Sequence, residues 1–325
     1  MEGAIVSAAS LDFTVNKFFS SSKDELSYAN LRLQPLLFQD DICRLATNVR
    51  DAQAGNMKLE SVAETKLLDF NVQKSSTIVL DPKAGYKTIM NQLVETPLFL
   101  CNKPVNVVQL EKYLGDYIST EGLAHSIQAT IEKRKPKALQ SIFEIKSVVE
   151  DCRSNVVGGL IAGLDIWELA IIPFILNNSE TWTEIGKQSI EILDNLQLTF
   201  LRSLLRTPKT CPIGSILLDT GSILIFHRIS QRKLMFYHHL INLPNHSLAY
   251  QIAKIQENLG YPGLIRECTG LLKQYSLESP HKLSKYQWKN GVKSAILRKN
   301  KDNILKRLEK SKKIDSLKFK IKLLE

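Results

Sequence analysis

The stretch LRLQPLLFQDDICRLAT, Leu31–Thr47, decides how this chain is read. Two apolar runs flank Gln39-Asp40-Asp41, which predicts a short β-hairpin with acids at its tip. On an extended chain neighbouring side chains face opposite ways, so only one aspartate of the pair can serve a site on a given face. Carboxylates held close in an apolar setting raise each other's pKa unless a cation is present. A bound Mg2+ resolves this conflict, because hard divalent cations take carboxylate oxygens. On spacing alone an exposed turn is the plainer account, since Asp is a common turn residue. Pro35 falls inside the first run, where it removes one ladder hydrogen bond.

Working outward, residues 4–19 can form an amphipathic helix with Ile5, Leu11, Val15 and Phe18 near one face. Residues 49–70 have helical periodicity. Val72–Leu80, β-branched and carrying Lys74, predicts a strand, and Asp81–Gly85 a turn. Val107–Ile118 predicts a strand pair bent at Gly115. From about residue 121 the pattern is helical. Leu123–Phe143 is amphipathic with an expected break at Pro136, and Glu184–Arg206 is periodic until Pro208 and Pro212 end it. Helices are also expected over 226–243 and 264–275. The order, mixed for about 120 residues and then helical, predicts an α+β protein with a helical second part.

Composition bounds the function classes. The chain has 325 residues, which suggests about two domains. With 44% hydrophobic and 23% charged residues it can bury a core and is not a disordered chain. The 15 Gly and 11 Pro exclude a collagen-like sequence. The net charge of +10 is unevenly placed: residues 281–325 hold 15 Lys and Arg against 4 acids, and the rest is within one charge of neutral. Within that segment Trp288, Val292, Ile296, Ile304 and Leu308 recur at helical spacing, with Lys285, Lys289, Lys293, Lys306 and Lys310 between them. A cation-rich segment on a neutral body is the footprint of a nucleic-acid or anionic surface contact, or else a solubilising helix.

Five scattered cysteines form no CxxC spacing, and the adjacent His238 and His239 diverge by about 100° on a helix, so a structural zinc site is not expected. The stretch VVGGLIAGLDIWELAIIPFIL, Val156–Leu176, is long enough to span a bilayer. Asp165 and Glu168 near its middle would each cost about 2.5–3.5 kcal/mol there, and Pro173 interrupts it. It reads as one or two buried helices of a soluble protein. No signal peptide is visible, so an intracellular protein of cytoplasm or nucleus is expected, with no membrane partner. P-loop, G-x-S-x-G and HExxH signatures are absent.

Phe38-Gln39-Asp40-Asp41, set in LLFQDD, resembles the catalytic hairpin of reverse transcriptases. Several surroundings match in order. Glu2–Ser7 followed by a helix resembles the segment under the template–primer. LLDFNVQKS, Leu67–Ser75, resembles the helix-to-strand step that carries a family lysine, here Lys74. Tyr113-Leu114-Gly115 followed by Ile118-Ser119 resembles the primer-grip hairpin of non-LTR retrotransposon (LINE-type) enzymes. ILNNSETW, Ile175–Trp182, and LRSLLRTP, Leu201–Pro208, resemble their thumb region. The matches cover about 205 residues; residues 250–325 match less distinctively.

The resemblance implies a partial polymerase palm over 1–120, a helical thumb-like domain over 121–249 and a basic helical extension over 250–325. It implies an RNA-directed DNA polymerase lineage, in which two Mg2+ ions clamp the primer 3′-oxygen and the triphosphate of a dNTP. On that reading Asp40 is a direct metal ligand, and Asp41 a secondary ligand or a shaper of the hairpin. Lys74 neutralises or protonates the departing pyrophosphate. Gly3, Ser7, Tyr113, Leu114 and Gly115 lie against template or primer, with Gly115 allowing close backbone approach. The family also uses an aspartate from a strand upstream of the segment that begins at Met1, together with fingers, so the chain by itself is expected not to extend a primer. An exposed palm edge predicts self-association.

Two further readings stand beside it. One is a non-catalytic nucleic-acid-binding module that holds an RNA template or RNA–DNA hybrid through the thumb and through Lys285, Lys289 and Lys293. The other is a helical interaction protein whose Trp288/Val292/Ile296 stripe faces a partner, although such a stripe is more often core.

Overall fold

The computed structural model describes residues 27–28, 31–32, 35–38, 41–80, 86–151, 156–260 and 263–309. The chain is mixed α+β and dominated by helix, and it divides into two compact units. The first comprises the residues up to Tyr113 with Ile118–Gly122, and the second Leu114–Tyr117 with Leu123 onward. The expected helix over 4–19 and the turn at 81–85 lie outside the described residues.

The first unit is built from short strands and two helices. β1 (Ser27–Tyr28) pairs with β2 (Leu31–Arg32), and β3 (Leu36–Phe38) pairs antiparallel with β4 (Asp41–Cys43). Helix α1 (Val49–Lys66) starts where Asn48 accepts the Asp51 N–H at 2.9 Å, a side-chain N-cap. It stops at Leu67, which turns left-handed at φ 54° and is 95% exposed. Helical periodicity predicts an end near 70; this cap ends the helix four residues sooner.

The strand expected over Val72–Leu80 is mostly replaced. Val72–Lys74 forms a 3-10 turn, because the Asn71 side chain captures the Lys74 N–H at 3.3 Å, a local bond that competes with a ladder. Only β5 (Ser76–Ile78) remains extended. After α2 (Tyr86–Glu95) and the hairpin β6 (Phe99–Leu100)–β7 (Lys103–Pro104), β8 (Asn106–Val108) returns parallel to β5. A parallel return needs such an intervening crossover. Val72, Val79, Leu93, Leu98, Leu100 and Val105 form the core here.

The backbone of β6 is met by side chains of α1. Gln53 accepts the Phe99 N–H at 2.7 Å, Asn56 donates to the Phe99 carbonyl at 3.0 Å, and Glu60 accepts the Cys101 N–H at 2.5 Å. These bonds remove part of a strand edge from the groups on which another chain could template. β9 (Leu110–Tyr113) and β10 (Asp116–Ser119) form the expected strand pair, turning through Leu114-Gly115.

The second unit is helical. α3 (Leu123–Asp151) runs without interruption through Pro136, against the expected break. A proline inside a helix costs about 3 kcal/mol. Here Pro136 is exposed, while Ile127, Ile131, Ala138, Ile142 and Ile145 form one buried stripe across it. At roughly 1.5–3 kcal/mol for each buried aliphatic side chain, that stripe outweighs one lost bond.

The apolar stretch forms α4 (Val156–Ile166), a π-turn (Trp167–Ile171) and α5 (Ile172–Ile175). It is less buried than expected: Ile161 is 55% and Leu169 80% exposed. By length and composition Gly158–Ile175 could cross a membrane. Asp165 is exposed, and Glu168 makes a two-pronged ion pair with Arg228. Trp167 stacks on Phe200 with ring centroids 4.5 Å apart.

α6 (Lys187–Leu205), α7 (Ile213–Thr220), α8 (Ile225–Ile241), α9 (Leu248–Leu259), α10 (Leu264–Tyr275) and α11 (Lys285–Glu309) complete the unit. α11 packs along α7 and α8. Gly214 of α7 permits this approach, because a Cβ there would meet Leu308 at 2.8 Å. Asn300 locks the same join, accepting the Leu224 N–H at 3.0 Å and donating to the Ser222 carbonyl at 3.1 Å.

His227 of α8 is buried between α10 and α11. Its ring nitrogens meet Tyr275 Oη at 2.7 Å and Asn303 Nδ2 at 2.9 Å. Burial, with the charges of Lys299 and Arg307 added, pushes the imidazole down to about 4. In the unfolded chain a histidine titrates near 6.5. Between those values only the unfolded state binds the proton, so stability is full above about pH 6.5 and falls as pH drops toward 4. The loss should reach roughly 3 kcal/mol. Urea midpoints measured from pH 7.5 to pH 4 should show it, and His227→Gln should flatten the profile over that window. An unchanged profile in the variant would refute the assignment.

Candidate nucleic-acid interface

The β3–β4 hairpin sets the first candidate site. Its register pairs Phe38 with Asp41, Leu37 with Ile42 and Leu36 with Cys43. Asp41 therefore opens β4 and is exposed, opposite Phe38 at 54% exposure. Pro35 lies just before β3, outside the ladder, so it removes none of the paired bonds. Asp40 and Gln39 lie outside the described residues, as do Gly3 and Ser7.

The structure brings Asp41 and Tyr113 into electrostatic reach. Burial raises the Tyr113 phenol above its ordinary range, and Cys43 and Asp41 add in the same direction. Lys74 is exposed on its 3-10 turn. Beside that turn Asp69–Gln73 and Lys103 line an open cavity of about 470 Å3. Among the described residues no three His, Cys, Asp or Glu side chains gather as a metal site. Among the described residues Asp41 stands as a single carboxylate there, which does not make a divalent-cation cage.

The hairpin tip after Tyr113 is held by a residue that the sequence reading passed over. Leu114 is left-handed at φ 47° and 41% exposed, and Gly115 follows at φ 91°. Arg134 of α3, 9% exposed in its side chain, donates to the Gly115 carbonyl at 2.8 Å and to Asp116 Oδ1 at 2.6 Å. It also donates to the carbonyls of Ile175 at 3.1 Å and Asn177 at 2.9 Å. Asn178 adds a bond to the Leu114 carbonyl at 3.2 Å. A planar fork with five donors can serve four acceptors at once, which a lysine cannot. Burial works against the guanidinium charge and Asp116 restores part of it. A signal was present in the sequence: Arg134 falls in the stripe that runs Ile127, Ile131, Ala138, and a charge in such a stripe must be partnered.

α11 carries the second candidate site. Trp288, Val292, Ala295, Ile296, Ile304 and Leu308 are all buried, so the stripe read from the sequence is core. Along the edge of that stripe Lys285, Lys289 and Lys293 are exposed at four-residue steps, about 6 Å apart along the axis. Arg298, Lys306 and Arg307 are exposed further along, and Lys310 lies outside the described residues. The helix is held in place by burying its apolar stripe in two cores, one around Trp288 and one around Leu308, and its lysines stay exposed at the margin. Such a row of cations suits phosphate contact without base readout.

The histidine pair is divided by this arrangement. His238 is buried, bonds the Leu283 carbonyl at 3.0 Å and stacks on Trp288, whereas His239 is exposed. Cys268 is buried and its thiol is pushed up to about 12, which removes it as a nucleophile at neutral pH.

Comparison of the chain with known protein families, with curated proteins and with solved structures finds no match.

Proposed function

We propose that this chain binds duplex nucleic acid without sequence preference through the exposed face of α11, within a protein of reverse-transcriptase lineage. The observation that carries the binding is the division of α11. Lys285, Lys289 and Lys293 are exposed in one row that flanks the buried Trp288, Val292 and Ile296. The partner on this reading is an RNA template or an RNA–DNA hybrid. The lineage rests on the sequence resemblance, in which residues 1–120 correspond to part of a palm, 121–249 to a thumb and 250–325 to a basic helical extension. Mg2+ at Asp40 and Asp41 belongs to this reading through the resemblance alone.

The test is a titration of labelled duplex RNA and RNA–DNA hybrid with the full chain at low and moderate salt. Affinities alike for unrelated sequences and falling steeply with salt are expected. Sequence-dependent affinity, or no binding at 50 mM salt, would contradict the proposal. A second reading, template-directed nucleotide addition, is favoured by the electrostatic interaction of Asp41 with Tyr113. Primer extension with Mg2+ and dNTPs that disappears in Asp40→Ala would establish it; binding without extension leaves the chain a holder of duplex.

A further inference from the structure

A cavity of about 290 Å3 opens beside α11, lined by Leu224, Asn303, Lys306 and Arg307. The three α11 residues stand at i, i+3 and i+4, so they share one face of the helix. Asn303 is fixed in place, with its amide Nδ2 2.9 Å from His227 Nε2. The buried His227 is neutral, so this nitrogen accepts a hydrogen from the amide, and the rotamer of Asn303 is set by the contact. Among the described residues neither Lys306 nor Arg307 makes a hydrogen bond or an ion pair. Asp194 is the acid within electrostatic reach of Arg307, and burial raises its carboxyl while Arg307 lowers it. Lys299 adds a further positive charge near His227.

Two cations without an ion-pair contact, Arg307 having only the more distant Asp194 as counter-charge, converge with a fixed amide on one concave space and favour an anion there. The volume lies at the lower limit for small-molecule sites and suits a single tetrahedral group with its water better than a whole cofactor. Arginine offers paired N–H donors to two oxygens of such a group, and lysine a point charge. We propose that this cavity binds one phosphate group, with Arg307 and Lys306 as its charge partners and Asn303 as its neutral donor. The phosphate can come from free inorganic phosphate or from the backbone of a bound nucleic acid. The second source rests on the function proposed above; the first does not.

The experiment titrates the full chain with inorganic phosphate at constant ionic strength, following 15N amide shifts of residues 222–228 and 300–309, and separately with duplex RNA. Saturable shifts confined to those residues are expected. Arg307→Ala and Lys306→Ala should each weaken phosphate binding about tenfold, and Arg307→Lys should recover part of the loss. Lys285→Ala, on the distant row, should leave it unchanged. Where duplex supplies the phosphate, Arg307→Ala should also make the salt dependence of duplex binding shallower by about one. No saturable shift, or equal phosphate affinity in both alanine variants with wild-type urea midpoints, would overturn the cavity proposal even if duplex still binds. Phosphate binding lost in the variants without any duplex affinity would sustain the cavity and assign free phosphate as its ligand, while removing the nucleic-acid reading.

Discussion

Replacing Trp288 with alanine is expected to lower stability by about 3–5 kcal/mol, the usual cost of deleting a large buried aromatic ring. Trp288 is 1% exposed among Leu234, Tyr275, Val292 and Ile296. Its indole N–H donates to the Leu234 carbonyl at 3.0 Å, and its ring stacks on His238 at 6.0 Å. The substitution therefore opens a cavity and removes one hydrogen bond to a helix carbonyl that keeps its own intrahelical bond. It also tests whether α11 is part of the second unit's core or an appended tail. Urea unfolding followed by circular dichroism should show a lower midpoint with an unchanged slope. A loss below about 1 kcal/mol would mean that the helix is not held as described.

The second large effect is expected at Arg134. Arg134→Ala removes one partner of a largely buried ion pair and abandons the carbonyls of Gly115, Ile175 and Asn177 together. Breaking a buried pair costs about 3–5 kcal/mol. The lower end is expected here, because the Asp116 side chain keeps 24% exposure and water can reach it. Amide exchange at residues 114–117 should accelerate in the variant more than exchange in α6, since the hairpin tip loses its anchor. Arg134→Lys should recover less than half, because an ammonium group cannot span four acceptors in the plane of a fork. Wild-type stability and exchange in Arg134→Ala would show that the tip is held by its own turn.

Several parts of this architecture were legible in the residues. The hairpin around Gln39-Asp40-Asp41, the helix starting near residue 49, the strand pair bent at Gly115 and the helix Leu264–Tyr275 follow from patterns of period two or 3.6 with turn residues between them. The stripe Trp288, Val292, Ile296, Ile304, Leu308 is likewise buried as its spacing implies. The failures are local bonds and tertiary overrides. Asn71 diverts the chain into a 3-10 turn at Lys74, which periodicity cannot register. Pro136 stays within its helix because burial on either side outweighs the lost bond. Two short helices, Ile213–Thr220 and Leu248–Leu259, were not anticipated; both fall between proline- and glycine-containing turns that read as loops.

The candidate sites were legible to different degrees. The lysine row of α11 follows from composition and helical spacing. Arg134 was hidden because its acceptors, 18 to 43 residues away in sequence, are mostly backbone carbonyls. The cavity at Asn303, Lys306 and Arg307 needs the neighbouring Leu224 and a buried His227 to be recognised, and neither is near in sequence.

The measurement that bears most directly on the central claim is the salt dependence of duplex RNA binding by the full chain and by Lys285→Ala/Lys289→Ala/Lys293→Ala. These side chains are exposed at the edge of the buried stripe, so the variant should keep the wild-type urea midpoint. Each phosphate contact contributes about 0.9 to the slope of log affinity against log salt. Loss of three should make the slope shallower by about 2.7 and weaken binding at 50 mM salt by at least tenfold. Equal affinity and equal slope in the two proteins would show that the row is only a solvated face, and the nucleic-acid interface proposed here would be wrong.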